Sequence, residues 1–200
     1  MLSRRLLRAG AGGIVLCLLI SLCGFFARCE GVRENVVRLH VLANSDSKED
    51  QELKLAVRDA VVEAAAGWLD GAQNAQQALS VAEARLPQLQ AVAQQTVTDA
   101  GYGYAVDASL CRMYFTTRQY DEVTLPAGTY DAVRFTIGSG EGKNWWCVVY
   151  PPLCAGAAMK EDPMGDLLDH SQADLVSGGR RYMVRFKVVE WWEELVDRLR

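Results

Sequence analysis

The chain has 200 residues and a formal net charge of −4, but the charge is unevenly placed. Arg4, Arg5, Arg8 and Arg28 precede every acidic residue, so positions 30–200 carry 17 basic against 25 acidic side chains, net −8. That excess opposes binding to nucleic acid or to anionic lipid, and no basic run with interleaved aromatics offsets it. A nucleic-acid partner is not expected.

The N-terminus is basic and then apolar. Arg4, Arg5 and Arg8 lead into Ala9–Ala27, an uncharged run of 19 residues. As a helix it is roughly 28 Å long, enough to cross the hydrocarbon core of a bilayer. Positive charge ahead of it predicts a cytoplasmic N-terminus and an exported remainder. Residues 1–29 therefore read as a signal peptide or a signal anchor. The length favours an anchor, while Ala27 and Cys29 offer the small residues of a cleavage site before Glu30. Residues 30–200 are long enough for one domain with its own core.

Val36–Leu42 is β-branched and alternating at its centre, which predicts a strand. Asn44–Ser47 breaks it. Ser47 then caps a helix over about Lys48–Leu69, with Glu49 and Asp50 in the first turn and Leu53, Val57, Ala60, Val61, Ala64 and Trp68 on its apolar face. Asn74–Ala100 reads as two helices interrupted at Pro87. From Tyr104 the period changes to two: Tyr104–Thr117, Thr129–Ile137 and Trp145–Tyr150 read as strands, joined through Leu125–Gly128 and Gly138–Gly142. Ala155–Gly179 is acidic and reads as a mobile loop. Tyr182–Lys187 reads as a last strand, and Val188–Leu199 as a short helix with Val188, Trp192, Leu195 and Leu199 turned inward. The order predicts an α+β domain with a mostly antiparallel sheet packed against helices.

Few residues suggest chemistry. His40 with Ser45 or Ser47 and Asp46 or Asp50 would suit an exported hydrolase, but capping a helix calls for the same residue types at the same spacing. Cys111, Cys147, Cys154 and His40 lack the paired spacing of a zinc site. Gly138–Lys143 lacks the ending of a phosphate loop. No metal, cofactor or small-molecule ligand is expected. Outside the cytoplasm Cys147 and Cys154 can oxidise, closing an eight-residue loop with a stabilisation of about 2.5 kcal/mol. Two buried thiols, or a pairing that involves Cys111, remain the alternatives. Alternation sends Trp145 and Trp146 to opposite faces of their strand, one into the core and the other either covered by a helix or available to a partner.

Three stretches, "VRLHVLANSDSKEDQELKLAVRDAV" (37–61), "LPAGTYDAVRFTIGSGEGKNWWCVVYPPLC" (125–154) and "VRFKVVEWWEEL" (184–195), resemble the stage II sporulation protein R family of endospore-forming bacteria. The resemblance implies a signalling protein and not an enzyme. Such a protein is exported across the forespore membrane into the intermembrane space. There it triggers a membrane-embedded aspartic protease of the mother cell, which processes that cell's pro-sigma factor. The resemblance carries over no catalytic residue. His40, Asn44, Asp46, Trp145 and Trp146 are the candidate partner-binding residues; a plain envelope structural protein is a further alternative. A reporter active only outside the cytoplasm, fused after Arg200, is expected to be active, and deletion of Leu6–Phe26 to silence it. Equal activity without the segment would refute export.

Overall fold

The computed structural model describes residues 2–69, 71–120, 123–151, 168–177 and 179–198. An N-terminal helix α1 (Leu2–Glu34) leads into strand β1 (Val37–Leu42), then helices α2 (Lys48–Leu69) and α3 (Ala75–Asp99). Strands β2 (Val106–Phe115), β3 (Arg118–Tyr120), β4 (Val123–Leu125), β5 (Gly128–Ile137) and β6 (Asn144–Tyr150) follow, then helices α4 (His170–Ser177) and α5 (Gly179–Arg198).

The main sheet has the order β2-β5-β1-β6. Its β2–β5 and β1–β6 pairings are antiparallel, while β1 and β5 run parallel. The architecture is α+β, with the sheet as the middle of three layers. On one face Val37, Leu39 and Val41 of β1 meet Val57, Val61 and Ala65 of α2 and Leu89, Ala93 and Val97 of α3. On the other, Phe115, Tyr130, Ala132 and Val148 meet Phe25, Cys29 and Val32 of α1, Leu175 of α4, and Phe186 and Val189 of α5. The β3–β4 hairpin supplies Leu125 to this second core.

Helix α2 begins as its cap requires, with the Asp50 N–H donating to Ser47 Oγ at 3.1 Å. Helix α3 corrects the expectation of two helices. It runs through Pro87, which is exposed, as is Glu83, whose carbonyl loses a donor to the proline. Ala75, Ala78, Ala82, Leu89, Ala93 and Val97 keep one unbroken buried stripe across the proline. Burial of that stripe outweighs one hydrogen bond lost on the solvent side.

Two further corrections fall near the C-terminus. Part of the stretch read as an acidic loop is helix α4, whose N-terminus is capped by Asp169 Oδ1 accepting from the N–H groups of Ser171 (2.8 Å) and Gln172 (2.9 Å). Residues 155–167 of that stretch lie outside the described residues. The expected strand Tyr182–Lys187 and short helix Val188–Leu199 are instead one helix, α5. Its buried residues are Phe186 and Val189, with Tyr182 packed beside them, whereas Trp192 and Leu195, expected inside, are exposed.

Helix α1 has an exposed apolar part and a buried one. It is long and apolar enough to cross a membrane from Ala11 onward, and Ile14–Leu16 and Leu18–Ile20 are exposed. Its last turns belong to the domain, with Phe25, Cys29 and Val32 wholly buried. Arg33 pairs with Glu30 and donates from Nη1 to the Ala127 carbonyl at 2.8 Å, beside Gly128. Gly128 has φ +145°, and a Cβ there would stand 2.5 Å from the Arg33 side chain, so the junction of α1 with β5 needs glycine. Pro87→Ala should raise the unfolding free energy by about 1–3 kcal/mol in chemical denaturation, because the Glu83 carbonyl regains a donor. An unchanged or lower midpoint would contradict this account of α3.

Candidate functional site

The central strand β1 directs its side chains alternately to the two cores. Leu39 and Val41 face α2 and α3; Arg38 and His40 face the other way, toward β6 and the β3–β4 hairpin. Arg38 is fully buried. Its Nε donates to the Cys147 carbonyl (3.0 Å) and its Nη2 to the Tyr120 hydroxyl (2.7 Å). The guanidinium carbon stands 4.3 Å from the ring centre of Phe115, 5.0 Å from Tyr130 and 5.6 Å from Tyr120. Aromatic faces take the place of a carboxylate here, attracting the cation through their quadrupoles. The Tyr120 hydroxyl donates onward to the Trp146 carbonyl (3.2 Å), so the hairpin is fastened over the arginine.

His40 is buried beside this box. Its ring packs edge-on to Phe115 (6.3 Å) and Trp146 (6.1 Å), and Nε2 donates to Asn144 Oδ1 at 2.9 Å. Burial lowers its pKa, the Asn144 bond opposes that, and the Arg134 cation lowers it further. Trp146 lies half-buried against His40, with the Arg118 guanidinium 4.8 Å from its ring centre. Trp145 points to the opposite face, as alternation requires, and is covered by Arg58 at 4.4 Å. Arg38 Nη1, His40 Nδ1 and the Nε1 atoms of both tryptophans are buried without a hydrogen-bond partner among the described residues.

The turn after β1 is tied to the loop between β5 and β6. Asn44 Oδ1 accepts from the Ser139 N–H (3.0 Å), Asp46 Oδ1 accepts from the Lys143 N–H (2.7 Å), and the Gly142 N–H donates to the Ala43 carbonyl (3.0 Å). Asp50 is buried and accepts from Ser45 Oγ (2.6 Å) and Asn44 Nδ2 (2.9 Å). Those bonds hold its carboxyl below the usual range. Lys54 reaches across to the Lys143 carbonyl at 3.0 Å. The glycines of the loop are shaped to this contact: a Cβ on Gly142 would lie 2.2 Å from the Ser45 carbonyl oxygen.

The structure thus brings together His40 and Trp146, places Asn44 and Asp46 at the rim through the β5–β6 loop, and leaves Trp145 on the far face. His40 bonds to Asn144, and Ser45 spends its hydroxyl on Asp50, so no Ser–His pair forms among the described residues. Nor do three or more His, Cys, Asp or Glu cluster there as metal ligands would. Cys147 is disulfide-bonded, while Cys111 is free. Cys154, the expected partner of Cys147, lies outside the described residues. Reading the sequence missed Arg38, Phe115, Tyr120 and Tyr130. An arginine alternating with strand apolars was the available signal for the first, but its cage assembles from strands far apart in the chain.

These features define a small α+β domain carried on an apolar N-terminal helix. The chain belongs to the stage II sporulation protein R family, whose model matches residues 33–160, from the end of α1 through the whole sheet. It is 37 % identical over 135 residues to stage II sporulation protein R of Bacillus subtilis (strain 168). That match covers 65 % of this chain and 60 % of the relative's length. No solved structure matches the chain.

Two of the shifted groups, His40 and Asp50, tie the stability of this site to pH. His40 has a lowered folded pKa, so its site is most stable above about pH 6.5, where the unfolded chain is also neutral. Below that the unfolded chain takes up the proton first and stability falls. Asp50 acts lower, its contribution full above about pH 4 and lost as pH drops through its depressed folded value. Denaturation midpoints of His40→Gln should lose the decline that begins near pH 6.5 and keep the acidic one. A wild-type midpoint flat from pH 7 to pH 5 would contradict the placement of His40.

Proposed function

We propose that this protein is an exported signal of endospore formation, crossing the forespore membrane to act on a membrane-embedded aspartic protease of the mother cell. The protease in turn processes that cell's pro-sigma factor. The observation that carries the reading is the family match over residues 33–160, the whole sheet domain, on a chain that begins with a membrane-length apolar helix. Retention of that helix is favoured by Phe25 and Cys29. Both are wholly buried in the second core, so a cut before Glu30 would take core residues with it.

The domain acts by recognition. Trp146, stacked under Arg118 and braced by His40, presents a part-open aromatic with its indole N–H buried and unpartnered among the described residues. Asn144 and Asp46 border it on the exposed loop side. An extracytoplasmic segment of the protease would cover this ring and supply acceptors. A buried aromatic of this kind is a typical anchor of protein interfaces.

The test is co-expression of the chain, the candidate protease and its pro-sigma substrate, scored for processing, with melting temperature measured in parallel. Trp146→Ala should lose about 2 kcal/mol of binding, roughly a thirtyfold drop in affinity, and processing should fall further than its melting temperature explains. Trp145→Ala, covered by Arg58, should lose processing only in step with stability. If processing proceeds without the chain, the signalling reading fails. If both variants track stability alike, the partner grips another face.

A further inference from the structure

Helix α5 carries two apolar stripes on opposite sides. Tyr182, Phe186 and Val189 face the core. Val188, Trp191, Trp192 and Leu195, spaced i, i+3, i+4 and i+7, share the other side. Trp191 is 67 % exposed, Trp192 54 % and Leu195 50 %. Apart from the apolar span of α1, these are the exposed large hydrophobics among the described residues. Two adjacent tryptophans turned to solvent at the end of a stable helix need a neighbour.

Ring contacts fix how α5 meets α1. Phe25 touches Tyr182 (5.8 Å) and Phe186 (5.5 Å), and Phe26 touches Trp192 (6.3 Å). Positions 182 to 192 span about 15 Å along α5, whereas Phe25 and Phe26 differ by about 1.5 Å of rise along α1. Helices packed side by side would spread these contacts over ten residues of both. Here α5 lies across α1 instead, and the crossing falls at the last residues of the uncharged run. With α1 in a bilayer, that crossing places the contacting part of α5 at the level where the uncharged run ends. Trp192 on Phe26 makes the exposed apolar surface of the span continuous with the outward stripe of α5. Beside that stripe lie two exposed basic residues, Arg185, over the Phe25 and Tyr182 rings, and Lys187, ion-paired with Glu190 at 2.6 Å. Tryptophan next to hydrocarbon with basic residues beside it is the composition of a membrane–water interface.

We propose that α5 is an interfacial helix, seated through Trp191, Trp192 and Leu195 in the headgroup layer of the membrane that α1 spans. The occupant of this face is lipid. The seat fixes the tilt of the sheet domain above the membrane, so that the Trp146 side is held at a set height. The inference rests on α1 remaining in the bilayer and is independent of the protease reading.

The test uses the full chain reconstituted in phosphatidylcholine vesicles with no other protein, and reads co-flotation and tryptophan emission. Flotation reports insertion of α1 separately. Lipid brominated high on its acyl chains should quench roughly two-fifths of the emission, the share of Trp191 and Trp192 among five tryptophans. Lipid brominated near the chain ends should quench less. Trp191→Phe with Trp192→Phe keeps the apolar stripe and should abolish the quenching with the melting temperature unchanged. A chain that does not float refutes the anchor, and this proposal with it. A chain that floats without shallow quenching, or whose double variant is quenched equally, overturns the interfacial helix alone. So would a face reserved for a protein partner, since lipid alone would leave it unquenched.

Discussion

The second core depends on a buried cation with no carboxylate partner among the described residues. Arg38 lies on the central strand, paired on both edges, so water cannot reach it from either side of the sheet. An unpaired buried charge is costly, and the cost falls only if polar acceptors and polarisable rings surround it. The Cys147 carbonyl and the Tyr120 hydroxyl supply the acceptors; Phe115, Tyr130 and Tyr120 supply the rings. Each of these four residues comes from a different strand, β6, β3, β2 and β5. Folding the arginine in therefore demands that the hairpin close and that β6 dock in register.

That register has a second lock at the other end of β1. The turn Asn44–Asp46 and the loop Ser139–Lys143 exchange backbone and side-chain bonds on a pair of close-packed glycines. Buried Asp50 gathers the turn's hydroxyl and amide onto the start of α2. Ser, Asp and His near one another suggest hydrolysis until their bonds are traced, and every one of those bonds here holds a loop or a cap in place. These two locks bracket the strand that carries His40 opposite Trp146.

The domain is also packed onto the end of its apolar N-terminal helix. Phe25, Cys29 and Val32 are core residues, and Arg33 bridges to Ala127 at the start of β5. One continuous helix runs from the exposed apolar stretch into the domain, with two residues between it and β1.

Local chemistry made much of this legible in the sequence. The apolar run of α1, the alternation of β1, the Ser47 cap with its acidic first turn, and the opposed faces of Trp145 and Trp146 depend on neighbours a few residues apart. The Ser45–Asp50 cluster was legible as a cap for the same reason. What needed the tertiary structure was everything decided by distant partners. Pro87 stays within a helix because α2 and the sheet bury its stripe on both sides, and β1 runs parallel to β5 although nothing local says so. The Arg38 box draws on positions 38, 115, 120, 130 and 147, which no window of sequence contains. The stripe Val188, Trp191, Trp192 and Leu195 shows the limit most plainly. The period predicts Val188, Trp192, Leu195 and Leu199 as an inward face, but periodicity gives a stripe and not its direction. The direction was set by a second stripe, Tyr182, Phe186 and Val189, which found Phe25 on a helix more than 150 residues earlier in the chain.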